Sequence, residues 1–488
     1  MHQPPGGLSL ISSHAERELK LAIRADFRLP RLPGTVLPRR LLISTYYDTT
    51  AYDLARAQMT LRHRIELGKK SWQLKIPLGN DRQEVEVADA LSDPPVLLRD
   101  VLILHLRHRR LVPIVTLRVW RTSVLVRHGR MPVAELAIDH ITAVRNGSVI
   151  ERFRELKIER RQGDEAVLHS LERQMREAGA YDHDGRAKLY RALSLPAPSL
   201  SPQPAPDAPV AEHLKWSLAQ HVGWLVTHDP GTRLCTETES LHQMRVATRR
   251  LRAVLRTCRP ILRPAWVMSL QEELKWLSEL LGPARDLDVQ IAYFANETAG
   301  LTVRDRKLLA LFVAHLRTQR KAFHEVLLGE LTSARYFSLI RGLRQAAQAP
   351  LLVESSLDMG QLAKREFKKL RKEIKRVGPS CSDAALHRIR IKTKRARYAA
   401  DLARNSLGKP AVRFIKSARA VQNLLGIHQD AIQAERFVQQ FFHHSTRIRA
   451  GVLAGRLRER QRHRRDQIRH GLTLAFKALL KRGKAVWW

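Results

Sequence analysis

The chain predicts two domains of different class. The first is α+β, an eight-stranded antiparallel β-barrel tunnel with helices, and the second is all-α, a pair of repeated helical bundles. Three observations carry this reading. Short segments with charged residues at every second position crowd residues 16–160. A proline-rich stretch then interrupts, with Pro196, Pro198, Pro202, Pro204, Pro206 and Pro209 in close succession. Beyond it the period of two is gone, and apolar residues recur at helical spacing to the C-terminus. A chain of 488 residues has enough length for two or three domains with cores of their own.

Taken in order, the first domain is a series of strands, each showing alternate residues on one face. Glu16, Glu18 and Lys20 alternate with Arg17, Leu19 and Leu21, and residues 41–48 form a second strand. Residues 60–65 place Arg62 and Arg64 on one side, and residues 71–76 do the same with Gln73 and Lys75. Arg82, Glu84 and Glu86 alternate again. After a less regular region come residues 115–127 with Arg121, 133–139 with Glu135 and Asp139, and 153–160 with Glu155, Lys157 and Glu159. Any one strand fits a half-exposed sheet with its charges in water. Together they mix carboxylates with Lys and Arg, which suit metal and phosphate respectively. Closure into a barrel would line a tunnel with them.

Residues 164–193 read as a helix against the barrel. Residues 196–210 form a stiff extended linker, at about 3.1 Å per residue. The domains are therefore expected at 1–195 and 211–488, the latter with repeats at about 211–345 and 355–480. Its helices are expected at about 211–227, 238–258, 265–281, 286–296, 303–328, 334–347, 358–376, 384–406, 410–425, 429–444 and 447–480.

The helical half contains a repeat. Residues 241–252 read LHQMRVATRRLR, which puts His242, Arg245, Arg249 and Arg252 on one side of a helix. Met244, Ala247, Leu251 and Val254 fall on the other side, toward a core. Residues 386–397 read LHRIRIKTKRAR, with His387, Arg390, Lys394 and Arg397 at the same offsets. Leu281-Gly282 with Asp286 returns as Leu425-Gly426 with Asp430. One basic stripe alone is most simply a solvated face. Two with matched spacing point to a polyanion, because guanidinium forks grip phosphate oxygens bidentately. Dense charge at 363–376 and 447–469 reads as solvated face, and isolated histidines such as His315 and His324 as ordinary structure.

Charge agrees with this division. Lys and Arg number 86 against 47 Asp and Glu, a net charge of +39. Residues 1–200 hold 33 basic and 23 acidic residues, and residues 201–488 hold 53 and 24. That excess implies an anionic partner, bound mainly by the second half. Nucleic acid is argued against: aromatic content is 6%, and none interleaves with Arg in the two stripes to stack bases. Cys235, Cys258 and Cys381 lack metal spacing and read as free thiols of a reducing compartment. Neither a secretory signal nor an apolar run of membrane-spanning length is visible, so a cytoplasmic location is expected.

At these residues two family resemblances enter. The pattern HxxRVxxRRLR with LGxxRD, followed by HxxRIxxKRxRY, resembles the conserved-histidine α-helical (CHAD) domain from about residue 211 onward. The resemblance implies two similar helical bundles that bind inorganic polyphosphate on the basic faces between them. His242, Arg245, Arg249, Arg250, Arg252, Arg285, His387, Arg390, Lys394, Arg395 and Arg397 would make the contacts. An association with polyphosphate granules would follow.

Residues 13–195 are similar to the CYTH, or triphosphate tunnel metalloenzyme, family. ERELK at 16–20 matches its E-x-E-x-K signature. LRHR, WQLK, RQEVE, Arg121, Glu135 with Asp139, and Lys188 in GRAKLYRAL follow in the family's order. The resemblance implies a tunnel that hydrolyses or cyclises triphosphates with Mg²⁺ or Mn²⁺. Glu16, Glu18 and Lys20 would be catalytic, and Glu16, Glu18, Glu155 and Glu159 would hold the metal. Arg62, Arg64, Lys75, Arg82, Arg121 and Lys188 would bind phosphate. With a CHAD domain attached, the chain resembles inorganic triphosphatases that act on tripolyphosphate. One departure is Lys157, where the family carries a third alternating glutamate. It leaves open an alternative, a non-catalytic polyphosphate-binding or targeting protein with a degenerate tunnel.

Overall fold

The computed structural model describes residues 11–15, 18–78, 81–88, 93–107, 109–162, 165–196, 202–235, 238–378, 381–443 and 445–488. The chain divides into two compact units, one of residues 1–200 with 227–237 and one of residues 201–226 with 238–488.

In the first unit the alternating segments form strands β1 (Ile11–Ala15), β2 (Glu18–Ala22), β3 (Gly34–Asp48), β4 (Thr60–Glu66), β5 (Lys69–Leu78) and β6 (Asp81–Ala88). They continue as β7 (Val112–His128), β8 (Met131–Arg145), β9 (Ser148–Arg160) and the two-residue β10 (Tyr181–Asp182). All ladders are antiparallel, in the order β1-β6-β5-β4-β3-β7-β8-β9-β2-β10. The expectation of eight strands in a closed barrel is corrected here: no ladder among the described residues joins the ends of this ten-stranded order. The second edge of β2 is taken by β10, through Tyr181 opposite Ala22 and Asp182 opposite Leu21. The sheet is nevertheless curled. Two residues separate β1, which pairs with β6, from β2, which pairs with β9. Three peptide steps reach at most about 11 Å, so the chain itself draws the two ends of the sheet together.

Alternation then decides which side chains face in. On the outer face, Leu61, Leu74, Ile76 and Val85 pack against Leu98, Val101 and Leu102 of helix α2 (Val96–Leu106), which follows the short α1 (Asp53–Arg56). Leu136, Leu156 and Ile158 pack against Leu168, Leu171 and Met175 of α3 (Glu165–Glu177). The single helix expected at 164–193 is instead α3, β10 and α4 (Lys188–Ala192), with Gly179 and Gly185 at φ of 99° and 73° turning the chain between them. Leu189 and Tyr190 of α4 meet Leu42, Leu117 and Val119 on the inner face. The short helix thus lies against the interior and carries Lys188 there.

The second unit is helical: α5 (Val210–Leu234), whose last turns cluster with the first unit, α6 (Thr238–Thr257), α7 (Pro264–Asn296), α8 (Val303–Leu331), α9 (Ala334–Gln348), α10 (Met359–Lys375), α11 (Asp383–Leu402), α12 (Arg404–Phe442) and α13 (Ile448–Trp487). Caps set several starts: Ser382 accepts from the Ala385 N–H before α11, and Asp358 with Gln361 forms a capping box before α10. Two expected breaks are absent. The segments 265–281 and 286–296 fuse into α7 with Pro283 inside it, and 410–425 and 429–444 fuse into α12. The kink at Gly408, at φ 65°, falls at the break expected between 384–406 and 410–425. Buried Phe294, Phe312, Val438 and Leu457 join α7, α8, α12 and α13 in one core.

At the C-terminal end of α13, Gly483 lies against the Phe367 ring, which stacks on Trp487 at 4.8 Å. A Cβ at Gly483 would overlap that ring, whereas at Gly455 on the same helix it would meet nothing within 4 Å. Gly455→Ala is therefore expected to raise stability by up to about 1 kcal/mol, and Gly483→Ala to lower it by about 1–3 kcal/mol through overpacking. Thermal unfolding of the two variants checks this; shifts of the same sign would contradict the packing of α13 on Phe367.

Candidate functional site

The inner face of the curled sheet encloses a cavity of about 630 Å³. Among the described residues, ten Lys and Arg and six Glu line it. The strands place them in cross-strand rows. Arg62 donates from Nε to Gln73 Oε1 at 2.8 Å and from Nη1 to Tyr46 Oη at 3.2 Å. Lys75 Nζ lies 3.1 Å from Glu84, and Arg64 Nη2 lies 2.7 Å from Glu66. On the opposite wall Arg121 binds Asp139 bidentately, at 2.7 and 2.8 Å. Lys188 donates to the same Asp139 and lies 3.1 Å from Glu155.

These contacts set the ionisation. Burial raises the carboxyl pKa of Asp139, but Lys188 and Arg121 outweigh it and hold the group far below the usual range. Burial also opposes ionisation of Glu155, yet Lys188, His183 and Lys20 bring it down to about 2. Arg64 is pushed down by burial and by Arg62, with Glu66 opposing. His183 accepts from the Gly185 N–H at Nδ1, 3.0 Å, which leaves Nε2 facing Glu155 at 3.7 Å.

Of the residues singled out in the sequence, Lys20, Arg62, Arg64, Lys75, Arg121, Glu155, Glu159 and Lys188 line the cavity. Glu16 lies outside the described residues, as do the side chains of Glu18 and Arg82. Backbone register puts Glu18 opposite Glu159 and Glu159 opposite Glu135, a row of three carboxylate positions. The next inward-facing row is Lys20 opposite Lys157, and the one after sets Glu155 opposite Asp139. Glu155 and Glu159 are thus about 13 Å apart along β9 at 3.3 Å per residue, with Lys157 between them. Lys157 Nζ sits 2.6 Å from Glu159 Oε1. Among the described residues, no three His, Cys, Asp or Glu side chains are grouped as a metal ion would need.

Sequence reasoning missed Arg40, Glu66, Arg160, Arg161 and His183. Arg40 lines the cavity and reaches Glu135 at 2.7 Å. Extending the second strand backward, through Arg40, Leu42, Ser44 and Tyr46, would have found it. His183 sits in a loop and carries no periodic signal.

In the second unit α6 and α11 pack together and bring the two stripes into one cluster. Arg245 donates to Asp286 at 2.6 Å and to the Gly282 carbonyl at 3.3 Å. In the other copy burial pushes Arg390 down, with Asp430 opposing and Arg245 adding to the effect. Arg249 is pushed down by burial and by Arg245, Arg390 and Arg397, against Tyr398. Lys394 is brought down to about 7 by burial and then by Arg390, Arg249 and Arg245. Arg249, Arg252, Lys394 and Arg395 line a cavity of about 260 Å³. Four other stripe residues have further neighbours. His242 sits by Arg285, His387 contacts Gln429 at 2.9 Å, Arg250 lies 3.9 Å from Asp401, and Arg397 stacks on Tyr398 at 4.4 Å.

Comparison with known proteins follows the same division. The CYTH domain family matches residues 14–190, and the CHAD domain family matches residues 217–439. Over 479 residues, 91% of each chain, the protein is 29% identical to the uncharacterized protein Rv2226 of Mycobacterium tuberculosis. Among solved structures it is similar to the CHAD domain from the plant Ricinus communis, at 28% identity and TM-score 0.45, covering 57% of this chain and 96% of that one. PptA from Streptomyces chartreusis aligns at 21% identity and TM-score 0.47, over 55% and 100%. A putative adenylyl cyclase from Hippeastrum, described as having a dominant triphosphatase activity, aligns at 18% identity and TM-score 0.24, over 36% and 94%. The chain is thus a CYTH domain followed by a CHAD domain.

Proposed function

We propose that the first unit hydrolyses a terminal phosphoanhydride of tripolyphosphate and that the second holds polyphosphate. The observation that carries the first half is the cavity itself, where among the described residues ten cations against six carboxylates leave an excess of positive charge inside a sheet. Such a lining is preorganised for a linear polyanion. Arg62, Arg64, Lys75 and Arg121 would grip phosphate oxygens, with Arg40 added by the structure, and with Arg82 as the resemblance implies. Lys188, anchored on Asp139 and Glu155, would hold charge at the base of the site. Lys20 would face the bond that breaks.

A divalent cation, Mg²⁺ or Mn²⁺, belongs to this reading. Backbone register sets Glu18, Glu159 and Glu135 in one row, and carboxylates are the donors a hard cation requires, but Arg40 and Arg161 already pair with Glu135. Glu16, Glu18 and Glu159 would hold the ion, with Glu155 set farther along β9. When bound, it would supply Lewis acidity and screen phosphate charge. Lys157 opposes it, since its ammonium already occupies Glu159. That contact favours a second reading, a tunnel that binds phosphate without cleaving it.

Phosphate release from tripolyphosphate with Mg²⁺ or Mn²⁺ separates the two; binding without release would leave only the second. Lys157→Glu is expected to tighten Mn²⁺ binding about tenfold by calorimetry and to raise turnover. Unchanged Mn²⁺ affinity would place the ion away from Glu159.

The second half rests on the merged stripes of α6 and α11. Polyphosphate binding there should weaken steeply with salt as counterions are released, by analogy with nucleic acids. Replacing Arg245 and Arg390 together by Ala should lower affinity at least tenfold and flatten the salt slope. A pair exposed on α8, Lys307 and Arg317, should change it much less for the same charge removed. Equal losses would reduce the site to a diffuse field.

Lys394 adds a pH dependence. It faces Arg390 on its own helix, Arg249 and Arg245 on α6, and Asp430 on α12, and its pKa is brought down to about 7. In the free protein it is charged below that pH and neutral above it, while a bound polyanion favours the charged form. Affinity should therefore fall as pH rises through 7 to 9, by up to about tenfold per unit. Lys394→Arg stays charged and should remove this component. A profile identical in Lys394→Arg and wild type would assign the effect to the polymer's own terminal groups.

A further inference from the structure

The second unit contains another cavity, of about 630 Å³, between the end of α6, a 3-10 turn at Arg259–Ile261, α10 and α11. Part of its wall is fixed by backbone pairing, since the Val353 N–H donates to the Ile261 carbonyl and the Arg263 N–H to the Leu351 carbonyl, both at 3.0 Å. Arg256, Arg259, Arg365, Lys392 and Arg395 line it. Among the described residues, none of these five lies within ion-pair distance of a carboxylate.

Two further features distinguish this cavity from a plain anion site. Beside the cations, Thr257 and Lys369, part of its lining is apolar, with Pro260, Leu262, Val353 and Leu362. Set among them is Glu366, only 4% exposed, whose Oε1 accepts from Lys369 Nζ at 2.6 Å. Its Oε2 has no hydrogen-bond partner. A buried carboxylate oxygen left unmade is costly. Bare polyphosphate offers almost only acceptors, so it cannot satisfy that oxygen and gains nothing from the apolar wall. A ligand that answers all three features carries phosphates, an apolar ring and a hydrogen-bond donor.

We propose that this cavity binds a nucleoside phosphate. Its phosphates lie among Arg256, Arg259 and Arg395, its ring rests on Leu362 and Val353, and a hydroxyl or amino group donates to Glu366. The volume falls within the roughly 300–1,000 Å³ of small-molecule sites. Arg256 and Arg395 also line the cavity along the basic stripe. A nucleotide here therefore competes with a polyanion on the stripe for two shared side chains, which couples occupancy of one to the other.

The test uses the full chain and the photoreactive probe 8-azido-ATP, with labelled peptides mapped after irradiation. Label is expected within residues 257–264 or 351–366, and tripolyphosphate should displace it. Glu366→Gln removes the acceptor charge and should lower labelling there about tenfold. The same change should leave tripolyphosphate binding unchanged or tighter, because it removes a negative charge. Arg259→Ala, at an exposed position, should lower labelling severalfold. Label confined to residues 1–200 would mean that nucleotide enters only the first unit, and the proposal fails. It fails equally if Glu366→Gln shifts nucleotide and tripolyphosphate affinity by the same factor, since the cavity is then a plain anion sink.

Discussion

Asp139 is fully buried, and what holds it charged there organises the first unit. It faces Arg121 across the β7–β8 ladder and Glu155 across the β8–β9 ladder. Two carboxylates directly opposite one another repel, and a lone one in this position would be far too costly to bury. Lys188 resolves the conflict by sitting between Asp139 and Glu155. It arrives from α4, after the last long strand, so the chain's final segment is tied back into the sheet. Removing one partner of such a buried set costs about 3–5 kcal/mol. The ion pairs also leave Arg121 and Lys188 fixed in place at the cavity wall.

The second unit is organised around the opposite problem. α6 and α11 bring Arg245, Arg249, Arg390 and Lys394 together with little carboxylate to balance them, and burial, followed by these neighbouring cations, drives Lys394 toward neutrality. Asp286 pairs with Arg245, and Asp430 attracts Arg390 electrostatically. Two acidic side chains position the cations without cancelling them. Such a surface is self-repelling.

Both units thus set more cations than carboxylates at their cavities, but by different geometry. In the sheet, alternation turns every second side chain inward, and curling converts a face into a lining. In the helices, a spacing of three and four residues makes a stripe, and the packing of two stripes makes a cluster. Glu159 shows how fine this balance is, since Lys157 takes the oxygen that the row Glu18, Glu159 and Glu135 would otherwise present.

The sequence by itself determined the division into a β-rich half and a helical half, the alternation that placed Arg62, Arg64, Lys75 and Arg121 on one face, and the repeat of the basic stripe. These are local, periodic properties, and a period is visible in one dimension. Tertiary structure alone decided the rest. The sheet stays open because β10 takes the edge of β2, a pairing of residues some 160 positions apart that no local pattern encodes. Glu155 and Glu159 share a face yet not a neighbourhood, because Lys157 stands between them. Pro283 sits inside a helix that the sequence would end there, and the carbonyl of the preceding Gly282 accepts from Arg245 on a different helix. Glu366 reads in the sequence as one of two acids in a basic helix. Only the packing of α6, α10 and α11 gives it a cavity wall, because burial and an unmet oxygen are properties of what surrounds a residue.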